Sequence, residues 1–117
     1  MGRRIIIAVL AATIMSIGAT AALAATSQIS ARYNATSEAF HGKVSSGNDE
    51  CLAGRTVKVF RKTSSGKVLQ GKTTTNATGG WKLAIMHAHG KYIAYTPAYE
   101  AMHATCDAAT SAVVDVM

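Results

Sequence analysis

Asn76-Ala77-Thr78-Gly79-Gly80-Trp81-Lys82-Leu83-Ala84-Ile85-Met86 is the stretch that decides the fold. Its first half is a chain reversal: Asn and Thr side chains bond to their own backbone, and glycine supplies positive φ where the turn needs it. From Trp81 onward the residues alternate. Trp81, Leu83 and Ile85 occupy one face and Lys82, Ala84 and Met86 the other, which is the period of two of a half-buried β-strand. An apolar face of this kind needs a second layer to cover it.

The same signals recur on both sides. Upstream, Val68 to Thr75 is a strand, reached through the turn Thr63-Ser64-Ser65-Gly66 from another in which Val57 and Val59 point one way and Lys58 and Phe60 the other. Before the loop from Ser45 to Glu50 and Cys51, Phe40, Gly42 and Val44 share a face, and Ser27 to Tyr33 alternates Ile29, Ala31 and Tyr33 with polar neighbours. Downstream, Gly90 to Thr96 carries Tyr92 and Tyr95 and is closed by Pro97, and Ala112 to Val116 is the last strand. Ala98 to Ala109 reads as an irregular connection. No helical period interrupts this pattern. About seven short strands in one chain predict an all-β fold, a two-sheet antiparallel sandwich with Trp81 and the valines inside.

The N-terminus is of a different kind. Arg3 and Arg4 precede an uncharged run from Ile5 to Leu23, and Ala22-Leu23-Ala24 offers small residues at both positions of a cleavage site. That order is the signature of a secretory signal peptide, so residues 1–24 are expected to be removed and 25–117 to form a single domain. An uncleaved anchor is the competing reading, but Thr13, Ser16, Gly18 and Thr20 dilute the apolar run. The arginine pair lacks the residues that normally surround a twin-arginine signal, which leaves the export route open. No transmembrane segment is expected after processing. Two of the 12 basic residues leave with the signal, so ten Lys and Arg remain against six Asp and Glu. A scattered excess of that size argues against a nucleic-acid binder. Cys51 and Cys106 are the two cysteines, and an even count in an exported chain predicts a disulfide. Closing a loop of about 55 residues stabilises by roughly 4 kcal/mol in the chain-entropy account.

Catalytic constellations are scarce. No serine lies in a Gly-x-Ser-x-Gly elbow, and Asp49-Glu50 offers too few oxygens for a calcium loop. His87 and His89 would share a strand face and could meet His41 or His103 around a metal, yet no acidic second-shell partner is near them in sequence; no cofactor is expected. Asn34-Ala35-Thr36 and Asn76-Ala77-Thr78 are sequons that matter only in a eukaryotic secretory pathway. The candidate binding surface consists of Lys58, Phe60, Lys62 and Lys82, which alternate with inward residues and so emerge on solvent. An aromatic between cations suits a sugar or a lipid headgroup, with an anionic cell-envelope polymer as the first candidate partner and another secreted protein as the second.

The run Lys72-Thr73-Thr74-Thr75-Asn76-Ala77-Thr78-Gly79-Gly80-Trp81-Lys82-Leu83, followed by Gly90-Lys91-Tyr92-Ile93-Ala94, resembles the threonine, polar turn, glycine, aromatic and glycine-x-tyrosine signature of prealbumin-like sandwiches. That group includes transthyretin-like and carboxypeptidase regulatory-like domains and the B-type repeats of surface adhesins. Phe40-His41-Gly42-Lys43-Val44, Cys51 and Gly54-Arg55-Thr56-Val57-Lys58-Val59 extend the likeness to small secreted bacterial proteins, over about Ser27 to Cys106. The resemblance implies a non-catalytic surface or secreted module on the exterior of a bacterial cell; a small secreted effector or inhibitor of another protein is the alternative. The hydroxyisourate-hydrolysing branch ends in Tyr-Arg-Gly-Ser, whereas this chain ends Val114-Asp115-Val116-Met117. Of the isopeptide bond found in adhesin repeats, only Lys43 and Asp115 lie in suitable strands, with no acid placed to catalyse it.

Overall fold

The computed structural model describes residues 24–117; the signal peptide expected over residues 1–24 therefore lies, but for Ala24, outside the described residues. The strands are β1 (Ser27–Ile29), β2 (Arg32–Asn34), β3 (Ala39–Ser46), β4 (Thr56–Thr63), β5 (Gly66–Thr74), β6 (Gly80–Ala84) and β7 (Gly90–Thr96). They are followed by β8 (Tyr99–Glu100), β9 (Thr105–Cys106), β10 (Ala109–Thr110) and β11 (Val114–Val116). In the first sheet β3 lies between β6 and the end-to-end pair β1 and β2; in the second the order is β5-β4-β7, with β10 and β11 end to end on the far side of β7. Every strand pairing is antiparallel. β1 and β2 keep one register against β3, Ile29 opposite Val44 and Arg32 opposite His41, so they are one strand interrupted at Ser30. Counted that way, and with β10 and β11 taken together, the seven expected strands are all present in a two-sheet sandwich.

The interruption has a local cause. The Ser30 hydroxyl accepts from the Lys43 amide at 3.0 Å, and the Ser30 carbonyl swings toward Gly42, where a Cβ would stand 1.9 Å from it. Only glycine allows this approach. At the reversal before β6, the Asn76 side-chain oxygen accepts from the Thr78 and Gly80 amides at 3.0 and 2.9 Å, and Gly79 adopts φ +92°. The chain thus enters β6 in the register that turns Trp81 inward.

Ala98 to Ala109 differs from the expectation of an irregular connection. After Pro97 it forms a small hairpin, Tyr99 opposite Cys106 and Glu100 opposite Thr105, and Ala109 then joins β7 opposite Thr96. Strands of two residues are too short to show a period in sequence. Their position comes instead from the Cys51–Cys106 disulfide, Cα atoms 5.6 Å apart, whose first cysteine ends a 3-10 turn capped by Asn48. A second tie links the same elements: the Glu50 carboxylate accepts from the His103 amide at 2.8 Å and lies 3.0 Å from its ring Nδ1. The amide bond, then the ring bond, hold the Glu50 carboxyl below its ordinary pKa.

Between the sheets lie Phe40, Val44, Val57, Val59, Trp81 and Tyr92. Tyr33, Phe40 and Tyr92 form a chain of tilted rings with centroids 4.8 Å apart at each step, the geometry that aromatic quadrupoles favour. Trp81 is 5% exposed, and its indole N–H has no acceptor among the described residues. At the disulfide end a charged group enters the interior. Arg55 is fully buried, and its guanidinium donates to Ser27 Oγ and the Cys51 carbonyl at 3.0 Å each, to the Pro97 carbonyl at 3.2 Å and to the Asp107 carbonyl at 2.8 Å. One side chain thereby joins β1, the 3-10 turn and the segments flanking the β8–β9 hairpin. Burial pulls its pKa down, opposed first by Tyr99 and then by Asp107; an arginine starts so high that it stays charged.

Candidate functional site

The outward residues of the second sheet form three cross-strand rows. Lys72, Lys58 and Tyr95 face one another across β5, β4 and β7; Leu69, Phe60 and Ile93 form the next row; Lys67, Lys62 and Lys91 form the third. Residues directly opposite on one face of an antiparallel pair are immediate neighbours. The result is a face with an apolar stripe between one row of two lysines and Tyr95 and another of three lysines. The Lys67 ammonium lies 5.4 Å from the centre of the Phe60 ring, a cation–π contact that fixes both on this face. Lys91 pairs with Asp115 at 2.8 Å, and Asp115 is the only acid in the strands of this sheet.

A β-bulge assembles the first row. The β4–β5 register is continuous from Thr63 opposite Gly66 to Phe60 opposite Leu69, then shifts so that Val59 faces Gly71 and Lys58 faces Lys72. Without the extra residue at Gln70, Lys72 would face Val57 on the inner side, since a one-residue slip turns every side chain over.

Of the four residues expected at the surface, the structure brings Lys58, Phe60 and Lys62 together and separates Lys82 from them. Lys82 is exposed on β6, opposite His41 in the first sheet. Because the two sheets cover each other's inner faces, its side chain leaves the sandwich on the opposite side. Alternation shows that a residue points outward but not from which sheet. Sequence reasoning missed Lys67, Lys72, Lys91, Leu69 and Tyr95. Lys67 was within reach, because the turn at Thr63–Gly66 sets it opposite Lys62; Lys72 depends on the bulge and Lys91 on pairing with a distant strand.

The histidines do not converge. His41 lies on the outer face of the first sheet, His103 is tied to Glu50, and His87 is 3.9 Å from Glu38. Among the described residues no three His, Cys, Asp or Glu side chains gather as a metal site would require. Asp115 meets Lys91 rather than Lys43. The depressions are shallow: one of about 430 Å³ is lined by His41, Thr73, Asn76, Trp81 and Lys82 among others, and one of about 400 Å³ by Tyr33, Glu38, His87 and Asp115 among others. Among the described residues, no helix is long and apolar enough to cross a membrane.

No protein-family profile and no curated protein matches the sequence. Among solved structures, an Fn3-like protein from Clostridium thermocellum is similar in fold, with a TM-score of 0.50 and 11% identity, over 78% of this chain and 88% of that one. At that identity the likeness concerns fold alone. The two antiparallel sheets agree with it, since fibronectin type III domains share the two-sheet sandwich architecture. The prealbumin-like resemblance carries as far as a two-sheet β-sandwich, and the fold of this chain is similar to that of the Fn3-like protein.

Proposed function

We propose that this chain is a secreted, non-catalytic binding module of a bacterial cell exterior, and that the lysine-flanked face of β5, β4 and β7 holds an anionic polysaccharide of the envelope. The observation that carries the reading is the pairing of like charges: Lys58 opposite Lys72, and Lys62 opposite both Lys67 and Lys91. Like charges directly opposite destabilise a sheet, so the arrangement has no use for folding and suits a polyanion. Phe60 and Tyr95 add ring faces on which a sugar can stack, while the lysines meet acidic groups on either side. The disulfide supports an oxidising location. The threonine-turn-glycine-tryptophan motif supports kinship with prealbumin-like surface modules such as carboxypeptidase regulatory-like domains.

Export predicts a secreted chain beginning at Ala25. In the folded domain the Ala25 nitrogen donates to the Thr105 carbonyl at 2.7 Å, a bond that a free amino terminus can also make. Intact mass and N-terminal sequencing of the secreted protein check this, and a retained species that still carries Arg3 and Arg4 refutes it.

The binding test uses immobilised dextran sulfate and polygalacturonate. Affinity should fall steeply between low and physiological salt, because exposed charges are screened beyond about 8–10 Å. Changing Lys58, Lys62, Lys67 and Lys72 together to Gln should weaken binding roughly 30-fold, at about 0.5 kcal/mol for each exposed contact. Salt-independent binding, or a variant that binds as well as the parent, would shift the reading to a protein partner held by the loops, as an effector or inhibitor would be.

A further inference from the structure

The first sheet carries a basic face of its own. Arg32, His41 and Lys82 lie opposite one another across β2, β3 and β6, and Lys43 follows two residues along β3. All four are exposed, and β1, β2, β3 and β6 contain no Asp or Glu. None of the four takes part in an ion pair among the described residues. Arg32 and Lys82 each stand opposite His41, and Lys43 stands opposite Gly80, so the cations are spaced across the face with no carboxylate among them. The carboxylates are elsewhere: Asp49, Glu50, Glu100 and Asp107 surround the disulfide end, Glu38 lies in the β2–β3 turn, and Asp115 is paired with Lys91.

Resting on the reading above, we infer that the module is bivalent: each outer face of the sandwich holds its own anionic polysaccharide chain, so that one molecule bridges two chains. The sandwich geometry permits it. Packed sheets lie about 10 Å apart, already more than a Debye length of about 8 Å at physiological ionic strength, and the outward lysine side chains add to the separation. Two polyanions on opposite faces therefore scarcely repel each other. A linear polymer suits this arrangement better than a membrane, because a flat bilayer meets one face and leaves the other without a partner.

The test is a sandwich capture. Beads bearing dextran sulfate are loaded with the secreted protein, washed, and offered fluorescent dextran sulfate in solution. The parent should bind the beads and capture the label. The variant K58Q/K62Q/K67Q/K72Q, loaded at a concentration raised to offset its roughly 30-fold weaker binding, and the variant R32Q/K43Q/K82Q should each still bind the beads through the remaining face and each lose nearly all label capture, with unfolding midpoints close to the parent's. The single change Lys82→Glu should reduce capture in the same direction with little effect on bead binding. Bead binding without label capture by the parent overturns bivalency and leaves the one-face reading standing. Undiminished capture by either multiple variant shows that bridging runs through one face or through self-association, and overturns it too. If the parent does not bind the beads, both readings fall; binding to anionic phosphatidylglycerol vesicles instead would assign the faces to lipid.

Discussion

Arg55→Lys should lower the stability of the domain by on the order of 4 kcal/mol, a large part of the 5–15 kcal/mol that holds a domain of this kind together. Lysine keeps the charge in the dry interior, so no desolvation cost is recovered. A compact ammonium on a flexible stem has three donors and cannot copy the planar fork that reaches Ser27 Oγ and the Cys51, Pro97 and Asp107 carbonyls. Ser27 Oγ and the Cys51 carbonyl lie in its buried part, and an orphaned buried acceptor costs about 1–3 kcal/mol. Arg55→Met should cost less, because it orphans the same oxygens but also removes a buried charge that, among the described residues, makes no ion pair with a carboxylate. Urea unfolding with the disulfide intact measures both. A lysine variant within about 1 kcal/mol of the parent would mean that the Arg55 bonds do not hold the hairpin end; one more stable than the methionine variant would mean that the bonds a lysine keeps outweigh the cost of burying its charge.

Trp81→Ala should cost about 3–5 kcal/mol, the range for truncating a large buried aromatic. The indole fills the space beneath Gly42 and is 5% exposed, and no neighbouring side chain on β6 can replace its volume. Trp81→Phe should be much milder, since it keeps most of the apolar contact and removes an N–H that meets no acceptor among the described residues. The native fluorescence of the parent should be blue-shifted. An emission maximum typical of indole in water, or an alanine variant that unfolds at the parent's urea concentration, would show that Trp81 does not pack between the sheets.

What the sequence made legible follows from how local each signal is. Alternation placed Val57, Val59, Phe40, Val44 and Trp81 inward, and burial agrees at each of them. The glycine and asparagine turns located the reversals, and two cysteines left one pairing. Arg55 was invisible because nothing near it in sequence distinguishes a buried arginine; its acceptors come from residues 27, 51, 97 and 107. Lys82 was grouped with the wrong cations because sheet membership is decided by pairing between distant strands. The row of Lys72 and Lys58 depends on one extra residue at Gln70, and no pattern of period two announces a break in its own period.

The disulfide also sets how far the chain can be drawn out. Cys51 and Cys106 are 55 residues apart, so the covalent ring they close takes in most of the second sheet together with β6 and the β8–β9 hairpin. If Ala25 and Val116 are pulled apart, β1 to β3 on one side and β10 and β11 on the other can peel away. The ring cannot lengthen while the bond lasts. At about 3.4 Å per extended residue it withholds roughly 190 Å of contour from the applied force. A tether made from this chain would therefore yield in short steps at its ends and then become stiff, and a reducing agent would release the remaining length at once.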